Sequence, residues 1–333
     1  MEYLQTFKRK RRGRAFPGAR SAFTLVELLT VIAIIGMLSA VSISTVRISI
    51  ETAREAQTET TVAKIDSSLT SLYEKYQYRR IDLSDKVGTD GTIIRAAARL
   101  ERIRDLLRCD FPACPEDLTT PFIADGLPTP LQVAYNAAVA KSGGFAPDAK
   151  DDPADPDTFH TANAELLYLV IMNADPEARA GFSDREVADT NGNGLYEFVD
   201  GWGKPICWAR WATGFERSDR QPSLAGMLGG DFDPKIDSDP FNPLGLAYAD
   251  GSGWYVSTTS ESAETTEELL RAGWFLVPLV YSAGPDGYYG LNPAVCVGCD
   301  PFSPALVNPA AAPGASDGSK TDKDNITNHT LVR

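Results

Sequence analysis

The chain has 333 residues, of which 43% are hydrophobic and 23% charged, and its formal net charge is −13. This composition excludes an intrinsically disordered chain, and the length allows one large or two small hydrophobic cores. The excess of acidic side chains argues against nucleic acid as a partner and is compatible with calcium binding or a solvated surface. The two histidines, His160 and His329, leave little scope for histidine-based catalysis or a metal site with several histidine ligands.

The N-terminal region combines a basic head with a long apolar stretch. Residues 1–22 contain seven basic side chains and one acidic one, whereas residues 23–46 contain a single acidic residue and no basic one. A helix over residues 23–46 would be about 36 Å long, enough to cross a hydrocarbon core of about 30 Å. Because basic flanks stay in the cytoplasm, we predict a single membrane pass that leaves the N-terminus in the cytoplasm and places the acidic remainder of the chain outside.

Two common kinds of N-terminal segment fit this stretch poorly. A cleaved secretory signal has an apolar region of only about 7–15 residues followed by a small-residue cleavage site, and no A-x-A sequence precedes Arg47. A plain signal anchor leaves Glu27 unexplained. A carboxylate within the membrane costs about 2.5–3.5 kcal/mol on insertion scales, and such groups are usually functional.

The sequence AFTLVELL at residues 22–29, followed by VIAIIG at 31–36, resembles the N-terminus of type IV prepilins and pseudopilins. The resemblance implies that a prepilin peptidase cleaves between Ala22 and Phe23 on the cytoplasmic side and that Phe23 is then N-methylated. Glu27 would become the fifth residue of the mature chain, where its carboxylate meets the positive amino terminus of a neighbouring subunit. Ala22 departs from the family, which usually has glycine before the cleaved bond.

Helical periodicity continues beyond the apolar stretch. Apolar residues spaced by three or four are Val46, Ile50 and Ala53, then Val62, Ile65, Leu69, Leu72 and Tyr76, with a polar middle at residues 55–60. We therefore predict one helix from Phe23 to about Tyr78; two helices broken near residues 42–49 are the alternative.

Further helices are predicted in the middle of the chain. An amphipathic helix over residues 92–108 has an apolar face formed by Ile93, Ala97, Leu100, Ile103 and Leu107. Residues 109–157 contain eight prolines and are predicted to be rich in loops, whereas residues 162–173 predict a short buried helix.

The acidic segment at residues 189–200 carries the oxygen pattern of a calcium-binding EF-hand loop. Its candidate ligands are Asp189, Asn191, Asn193, the Leu195 carbonyl, Glu197 and Asp200, with Gly194 at the sharp turn. Asp200 stands where an EF-hand has a bidentate glutamate, and its shorter side chain predicts weaker binding. The alternative is a series of Asx turns that holds no ion.

Three C-terminal segments resemble the major pseudopilin of type II secretion systems: DGWGKPICW at 200–208, SAGPDG at 282–287 and DNITNH at 324–329. In that family the last two segments form a calcium site. The resemblance implies that Asp286 and Asp324 supply carboxylate ligands and Ala283 its carbonyl oxygen. Asn325 stands where a second aspartate is usual and His329 where tryptophan is usual, and the loop 287–323 is longer than in the family.

Strands and disulfides are expected in the head. Aromatic and β-rich runs at 206–215 and 274–282 predict antiparallel strands, and Pro278 predicts that the second is an edge strand or carries a bulge. An exported head favours disulfides. The local candidates are Cys109 with Cys114 and Cys296 with Cys299, which leaves a buried Cys207. A zinc site formed by the same four thiolates is the alternative.

These elements predict an α+β protein of pilin-like type. A long N-terminal transmembrane and amphipathic helix would pack on a small antiparallel β-sheet head that carries a mostly helical and loop insertion. The expected divisions are a basic leader at 1–22, the helix at 23–80, the insertion at 81–185 and the head with its calcium loops at 186–333.

The resemblance implies a structural subunit of a type II secretion pseudopilus that supports protein export across the outer membrane. It would be anchored in the inner membrane by a single pass, with a cytoplasmic N-terminus and a periplasmic head, before it enters a periplasmic pseudopilus or an extracellular pilus. Its expected partners are copies of itself, other pilins or pseudopilins, a prepilin peptidase and an inner-membrane assembly platform, and its expected cofactor is calcium. One alternative is a type IV pilin or minor pilin acting in adhesion, motility or DNA uptake. Another is an anchored periplasmic calcium-dependent enzyme, which the lack of a Ser/His/Asp or Cys/His constellation disfavours.

Overall fold

The computed structural model divides into two units, Met1–Ile50 and Glu51–Arg333. The residues it describes are 23–83, 92–122, 126–145, 156–175, 177–224, 226, 237–244, 246–249, 253–256, 273–292, 312–318 and 321–331. The basic leader at 1–22, including Ala22, therefore lies outside the described residues.

Helices and short strands are mixed along the described residues, so the architecture is α+β. The helices are α1 (Leu25–Gln77), α2 (Thr92–Asp110), α3 (Pro115–Thr119), α4 (Pro130–Lys141) and α5 (Pro156–Ala174), with 3₁₀ turns at Ala178–Gly181 and Thr321–Asp324. The strands are β1 (Val187–Ala188), β2 (Glu197–Phe198), β3 (Cys207–Ala209), β4 (Leu246–Ala249), β5 (Gly253–Val256) and β6 (Leu279–Tyr281). They form three two-stranded antiparallel sheets, β1–β2, β3–β6 and β4–β5, where the sequence predicted a single small sheet.

The first unit contains the N-terminal part of α1. Its described side chains, from Phe23 to Ile50, are exposed and mostly apolar. The helix has the length and composition of a membrane span or signal anchor. The hydroxyl groups of Thr30, Ser42, Thr45 and Ser49 each donate to the carbonyl oxygen four residues earlier. These polar groups are therefore satisfied within the helix, as an apolar surrounding requires.

The prediction of one helix from Phe23 to about Tyr78 is confirmed, because α1 runs without interruption from Leu25 to Gln77. The alternative of two helices broken near residues 42–49 is wrong. Serine and threonine in this stretch bond their own helix, and no proline is present to remove a backbone donor.

One face of α1 lies in the core of the second unit. The stripe that predicted this face, Val62, Ile65, Leu69, Leu72 and Tyr76, is buried throughout. These side chains share a hydrophobic cluster with residues of other helices and strands, including Phe111, Leu167, Trp208 and Val280. Each such side chain contributes about 1.5–3 kcal/mol when fully buried, so this cluster accounts for much of the stability of the head.

The helix predicted over residues 92–108 is confirmed as α2. Four members of its predicted face, Ala97, Leu100, Ile103 and Leu107, are buried. The side chain of Ile93 lies outside the described ones.

The prediction that residues 109–157 are rich in loops is partly wrong, because α3 and α4 lie there. Both helices have proline in their first turn, where a missing N–H group costs nothing. Thr129 caps α4 in a reciprocal pair with Gln132, in which each side chain accepts from the other residue's backbone N–H. Two of the prolines that suggested loops, Pro115 and Pro130, therefore lie at helix starts.

Helix α5 is longer than the predicted segment 162–173 and packs on β2 and β3. Its buried side chains, including Leu166, Leu167, Val170 and Ile171, belong to the same cluster as the strands. The helices of the 81–185 segment and strands β2, β3 and β6 therefore share one core.

Strands β3 and β6 confirm the predicted antiparallel pair, although each is shorter than the run that predicted it. Cys207 lies opposite Tyr281 and Ala209 opposite Leu279. On the other side of β6, Thr327 forms an antiparallel bridge with Tyr281. The sheet has two strands, so β6 lies at an edge as predicted, and the bridge to Thr327 covers part of its open side. Pro278 has no backbone N–H to donate, but β6 begins just after it, so the proline removes no hydrogen bond from the strand pair.

Candidate functional site

The first acidic loop connects β1 to β2 and is organised around Asp189. Its carboxylate accepts three backbone N–H groups, from Gly192 at 2.7 Å, Asn193 at 3.1 Å and Gly194 at 2.9 Å. Gly192 and Gly194 have φ angles of 75° and 88°, which side-chain-bearing residues rarely adopt. The loop therefore closes tightly around one carboxylate.

A carboxylate that the sequence analysis did not select joins this loop from α5. Glu165 Oε1 accepts hydrogen bonds from Asn191 Nδ2 and Asn193 Nδ2, both at 2.8 Å. The side chain of Glu165 is fully buried, and burial raises its pKa. The one signal for it in the sequence is an isolated acidic residue within the apolar segment ANAELLYLVIMN.

Glu197 is the second fully buried carboxyl group at this loop. Its Oε2 atom accepts from Thr190 N at 2.9 Å. Burial and, to a smaller extent, the adjacent Glu165 raise the pKa of Glu197 to about 8. Glu165 Oε2 and Glu197 Oε1 are buried and accept no hydrogen bond from a donor in the described part of the chain.

Asp200, the candidate twelfth position of the loop, is engaged in the next turn. Its Oδ1 atom accepts from Trp202 N and Lys204 N, both at 2.9 Å, and its Oδ2 atom accepts from Ser282 Oγ at 2.7 Å. Burial raises its pKa. Asp200 therefore shapes the 200–204 turn and links it to the second acidic loop. The Leu195 side chain is buried, and its N–H donates to Asn193 Oδ1 at 2.7 Å.

The 200–204 turn lies directly on α1. Gly201 N donates to Thr58 Oγ1 at 2.9 Å, and a Cβ atom on Gly201 would lie 2.5 Å from the Arg54 carbonyl oxygen. Trp202 Nε1 donates to Glu51 Oε2 at 2.8 Å. The sequence DGWG thus provides a close approach to the helix and two hydrogen bonds that hold it.

The second acidic loop brings together the two segments that the resemblance paired. Asp286 N donates to Asp324 Oδ2 at 3.3 Å. At Gly284, whose φ is 68°, a Cβ atom would lie 2.5 Å from the Asp324 carbonyl oxygen. Asn325 Nδ2 donates to the Tyr289 carbonyl, whereas Asn325 Oδ1 is buried and accepts from no described donor. Ala283, which directly precedes Gly284 in the sequence, is fully buried.

His329 and Asn328 fix the C-terminal segment. His329 Nε2 lies 3.2 Å from the Pro278 carbonyl oxygen and Nδ1 lies 2.8 Å from Ser218 Oγ. Burial lowers the pKa of His329 to about 4, so the ring is neutral. Asn328 Nδ2 donates to Asp66 Oδ1 on α1 at 2.8 Å, and its Oδ1 accepts from Val280 N at 2.8 Å.

His160 is likewise a buried ring with no exposed surface for chemistry. Its ring packs edge-on against Tyr289 with centroids 4.0 Å apart, and burial lowers its pKa to about 3. Both histidines are therefore core residues.

The predicted pairing of Cys109 with Cys114 is wrong. Cys109 and Cys207 are buried thiols, whereas Cys114 is disulfide-bonded. Helix α2 continues to Asp110 and holds Cys109 inside the core, where burial raises the pKa of its thiol to about 12. The buried position predicted for Cys207 is confirmed. Cys296 and Cys299 lie outside the described residues.

At the N-terminus, Glu27 has a local role that the sequence analysis missed. Glu27 Oε2 accepts from Thr24 N at 2.8 Å and from Thr24 Oγ1 at 2.9 Å, and Glu27 N donates to Thr24 Oγ1 at 3.2 Å. This is the capping box that T-x-x-E predicts at a helix start. Phe23, the expected first residue of the mature chain, is 81% exposed.

Neither acidic loop gathers three ionisable ligands. Among the described residues, no group of three or more His, Cys, Asp and Glu side chains is arranged to hold a metal ion. A calcium site here would therefore need amide or carbonyl oxygens as well as carboxylates, which calcium accepts. No protein-family model, curated protein or solved structure matches this chain.

Proposed function

We propose that the chain is a membrane-anchored structural subunit of a type II secretion pseudopilus, processed by a prepilin peptidase and assembled through its N-terminal helix. One observation carries the proposal: the described side chains of the first unit are exposed, although most of them are apolar. Such a surface needs a covering. Lipid would supply it before assembly, and close-packed helices of neighbouring subunits would supply it afterwards.

Glu27 separates this proposal from a plain membrane anchor. The capping box explains why a carboxylate is tolerated at the start of α1, but glutamine serves a capping box as well. Cleavage after Ala22 would create a positive amino group at Phe23. In a filament, that group of one subunit would pair with Glu27 of its neighbour and set the register.

The head would use calcium to hold its acidic loops in place. At the second loop, Asp324 Oδ2 accepts from the backbone N–H of Asp286, and the buried Asn325 Oδ1 accepts no hydrogen bond from a described donor; the oxygens of these residues would be ligands of a cation that prefers oxygen. The cation would neutralise charge between segments that are distant in sequence. Its role would be structural, with no chemical step.

The contacts of the acidic side chains support a structural role over an enzymatic one. The carboxylates of Asp189 and Asp200 accept hydrogen bonds from backbone N–H groups of their own turns. Asp66 accepts hydrogen bonds from side chains that anchor the C-terminal segment. Both histidines are buried. We therefore propose that the head is a rigid body whose surface contacts the filament and its partners.

Processing is tested by intact mass and N-terminal sequencing of the protein from membranes, with and without a prepilin peptidase. We expect a chain that starts at N-methyl-Phe23 only when the peptidase is present. Ala22→Gly, which restores the usual family residue, should be cleaved at least as fast, and a bulky Ala22→Phe should not be cleaved. A chain that keeps Met1 under all conditions would refute the proposal.

Assembly is tested by a matched pair of variants at the capping box. Glu27→Gln keeps the cap but removes the charge, whereas Thr24→Ala removes the cap but keeps the charge. We expect both variants to be cleaved, and only Glu27→Gln to fail in filament formation by electron microscopy. Normal filaments with Glu27→Gln would show that the carboxylate serves the cap alone. Association with a secretin-dependent export machinery or with surface pili would distinguish the pseudopilus from the type IV pilus.

A further inference from the structure

The second unit begins close, along the chain, to the end of the apolar stretch. That stretch ends at Val46, and the second unit begins at Glu51. At about 1.5 Å per residue in α1, these two residues are about 7.5 Å apart along the helix axis. The layer between the hydrocarbon core of a bilayer and water is about 5–8 Å thick on each side. If residues 23–46 span the membrane, Glu51 therefore lies at the outer edge of the lipid headgroups.

Trp202 is attached to α1 at the level of Glu51. Its Nε1 atom donates to Glu51 Oε2 at 2.8 Å, and the preceding Gly201 N donates to Thr58 Oγ1 at 2.9 Å. The other carboxylate oxygen of Glu51 pairs with Arg54 Nη1 at 3.2 Å. Trp202 itself is half-buried, so part of its side chain remains open to the surroundings. An amphipathic ring with its N–H group satisfied is typical of the aromatic side chains at membrane–water interfaces.

Lys204 and Tyr288 extend the same surface. Lys204 follows Trp202 by two residues, and its Cε atom lies 3.5 Å from the place that a Cβ atom on Gly287 would take. Tyr288 comes directly after Gly287 and is 65% exposed, although its ring is large and mostly apolar. Four side chains define what we call the interface patch: Arg54, Trp202, Lys204 and Tyr288.

We propose that the interface patch lies in the lipid headgroup layer while the subunit is anchored in the membrane, so that this end of the second unit rests on the bilayer. This inference rests on the proposed membrane anchoring through residues 23–46. The rings of Trp202 and Tyr288 sit at the level of the headgroups, where amphipathic aromatic rings are favoured. The charged ends of Arg54 and Lys204 face lipid phosphates.

Chain length favours lipid over a protein partner for this patch. Even fully extended, the five residues from Val46 to Glu51 span at most about 18 Å. Glu51 and the indole of Trp202 bonded to it are therefore kept near the membrane surface, whatever angle the second unit takes. Lipid is the partner that the anchor itself brings within reach.

The charges around the patch suit a headgroup layer, although the whole chain has a net charge of −13. Arg47 follows the apolar stretch directly, and long basic side chains keep their apolar stems against lipid while the charge reaches the phosphates. The carboxylate of Glu51 is balanced by Arg54. The exposed acidic side chain beside Tyr288 is Asp286, whose Oδ1 atom accepts from Tyr288 N at 2.8 Å.

The experiment places the full-length chain in vesicles of phosphatidylcholine and phosphatidylglycerol and measures quenching of tryptophan fluorescence by brominated phosphatidylcholine. Of the five tryptophans, Trp208, Trp211 and Trp274 are buried. We expect bromine placed just below the headgroup to remove up to about a fifth of the emission, and bromine at the ends of the lipid chains to remove less. Trp202→Phe should lose this quenching, whereas Trp211→Phe should keep it.

A matched pair of added tryptophans tests the same point by a gain of signal. In the Trp202→Phe background, Tyr288→Trp should restore quenching and Tyr78→Trp should not. Tyr78 is the more exposed of the two tyrosines, at 80%, but it follows Glu51 by about 40 Å of helix. Quenching that persists in Trp202→Phe, or equal quenching of the two added tryptophans, would overturn the patch.

Flotation of the vesicles on a density gradient, scored in the same samples, separates this inference from the anchoring on which it rests. A chain that floats with the vesicles but shows no quenching by bromine near the headgroup would overturn the patch alone. A chain that does not float would overturn the membrane anchoring itself.

Discussion

Gly201 tests how the head is held on α1, because its position leaves no room for a side chain. A Cβ atom there would lie 2.5 Å from the Arg54 carbonyl oxygen and 2.7 Å from Arg54 Cα and Cβ. Helix backbone cannot move aside as a flexible side chain does, so Gly201→Ala must push the 200–204 turn away from the helix. Overpacking costs about 1–3 kcal/mol, and loss of the hydrogen bond to Thr58 adds about 1 kcal/mol. We expect the free energy of unfolding to fall by about 2–4 kcal/mol.

The assay is urea denaturation of the full-length chain in detergent, followed by tryptophan fluorescence. Gly181→Ala is the matched control, because a Cβ atom at Gly181 meets no atom within 4 Å and its φ lies outside the left-handed region. The control should keep its stability or gain up to about 1 kcal/mol. If Gly201→Ala is as stable as Gly181→Ala, the close seating of the turn on α1 is refuted.

Three further predictions follow from buried groups. Below pH 6.5 the contribution of the two histidines to stability should fall, because His160 and His329 have folded-state pKa values of about 3 and about 4, so unfolding takes up protons. His329 alone accounts for about 3 kcal/mol by pH 4, whereas the raised pKa of Glu197 acts in the opposite direction, so the test compares the wild type with His329→Gln; an equal change in melting temperature between pH 7 and pH 4 in both would contradict this. Asp117→Asn should cost about 3–5 kcal/mol in denaturation, because it leaves the buried Arg210 without its anion; a loss below about 1 kcal/mol would count against it. Cys109 should react with iodoacetamide only after unfolding, as peptide mass spectrometry would show, and rapid labelling of the folded chain would contradict its burial.

The parts of the fold that the sequence predicted are those set by local periodicity. The stripe from Val62 to Tyr76 and the face from Ala97 to Leu107 are buried because residues three or four apart share one side of a helix, whatever they contact. Strands β3 and β6 were recognisable from aromatic and β-branched runs. The predicted strands were too long, because backbone pairing stops where the chain turns. Residue composition does not show where those turns lie.

The parts that the sequence missed depend on contacts between distant segments. In the sequence, Glu165 is a single charged residue within an apolar helical segment. Only the packing of α5 on β2 brings its carboxylate to Asn191 and Asn193. Asp200 fits position twelve of a calcium loop by spacing, yet the turn that follows it takes its oxygens. The spacing of oxygen-bearing residues does not distinguish between carboxylates that come together only in the folded chain.

The polar face of α1 shows what such distant contacts accomplish. Thr58 lies within the polar stretch at residues 55–60 and Thr61 directly after it, yet both side chains are fully buried. Thr58 holds the 200–204 turn, Thr61 donates to Glu186 at 2.8 Å, and Asp66 accepts from Asn328 near the C-terminus. Apolar packing alone tolerates sliding, whereas directional hydrogen bonds at three points along one helix fix position and register. The buried polar residues Thr58, Thr61 and Asp66 therefore fix the seating of the head on α1 in a way that additional leucine would not.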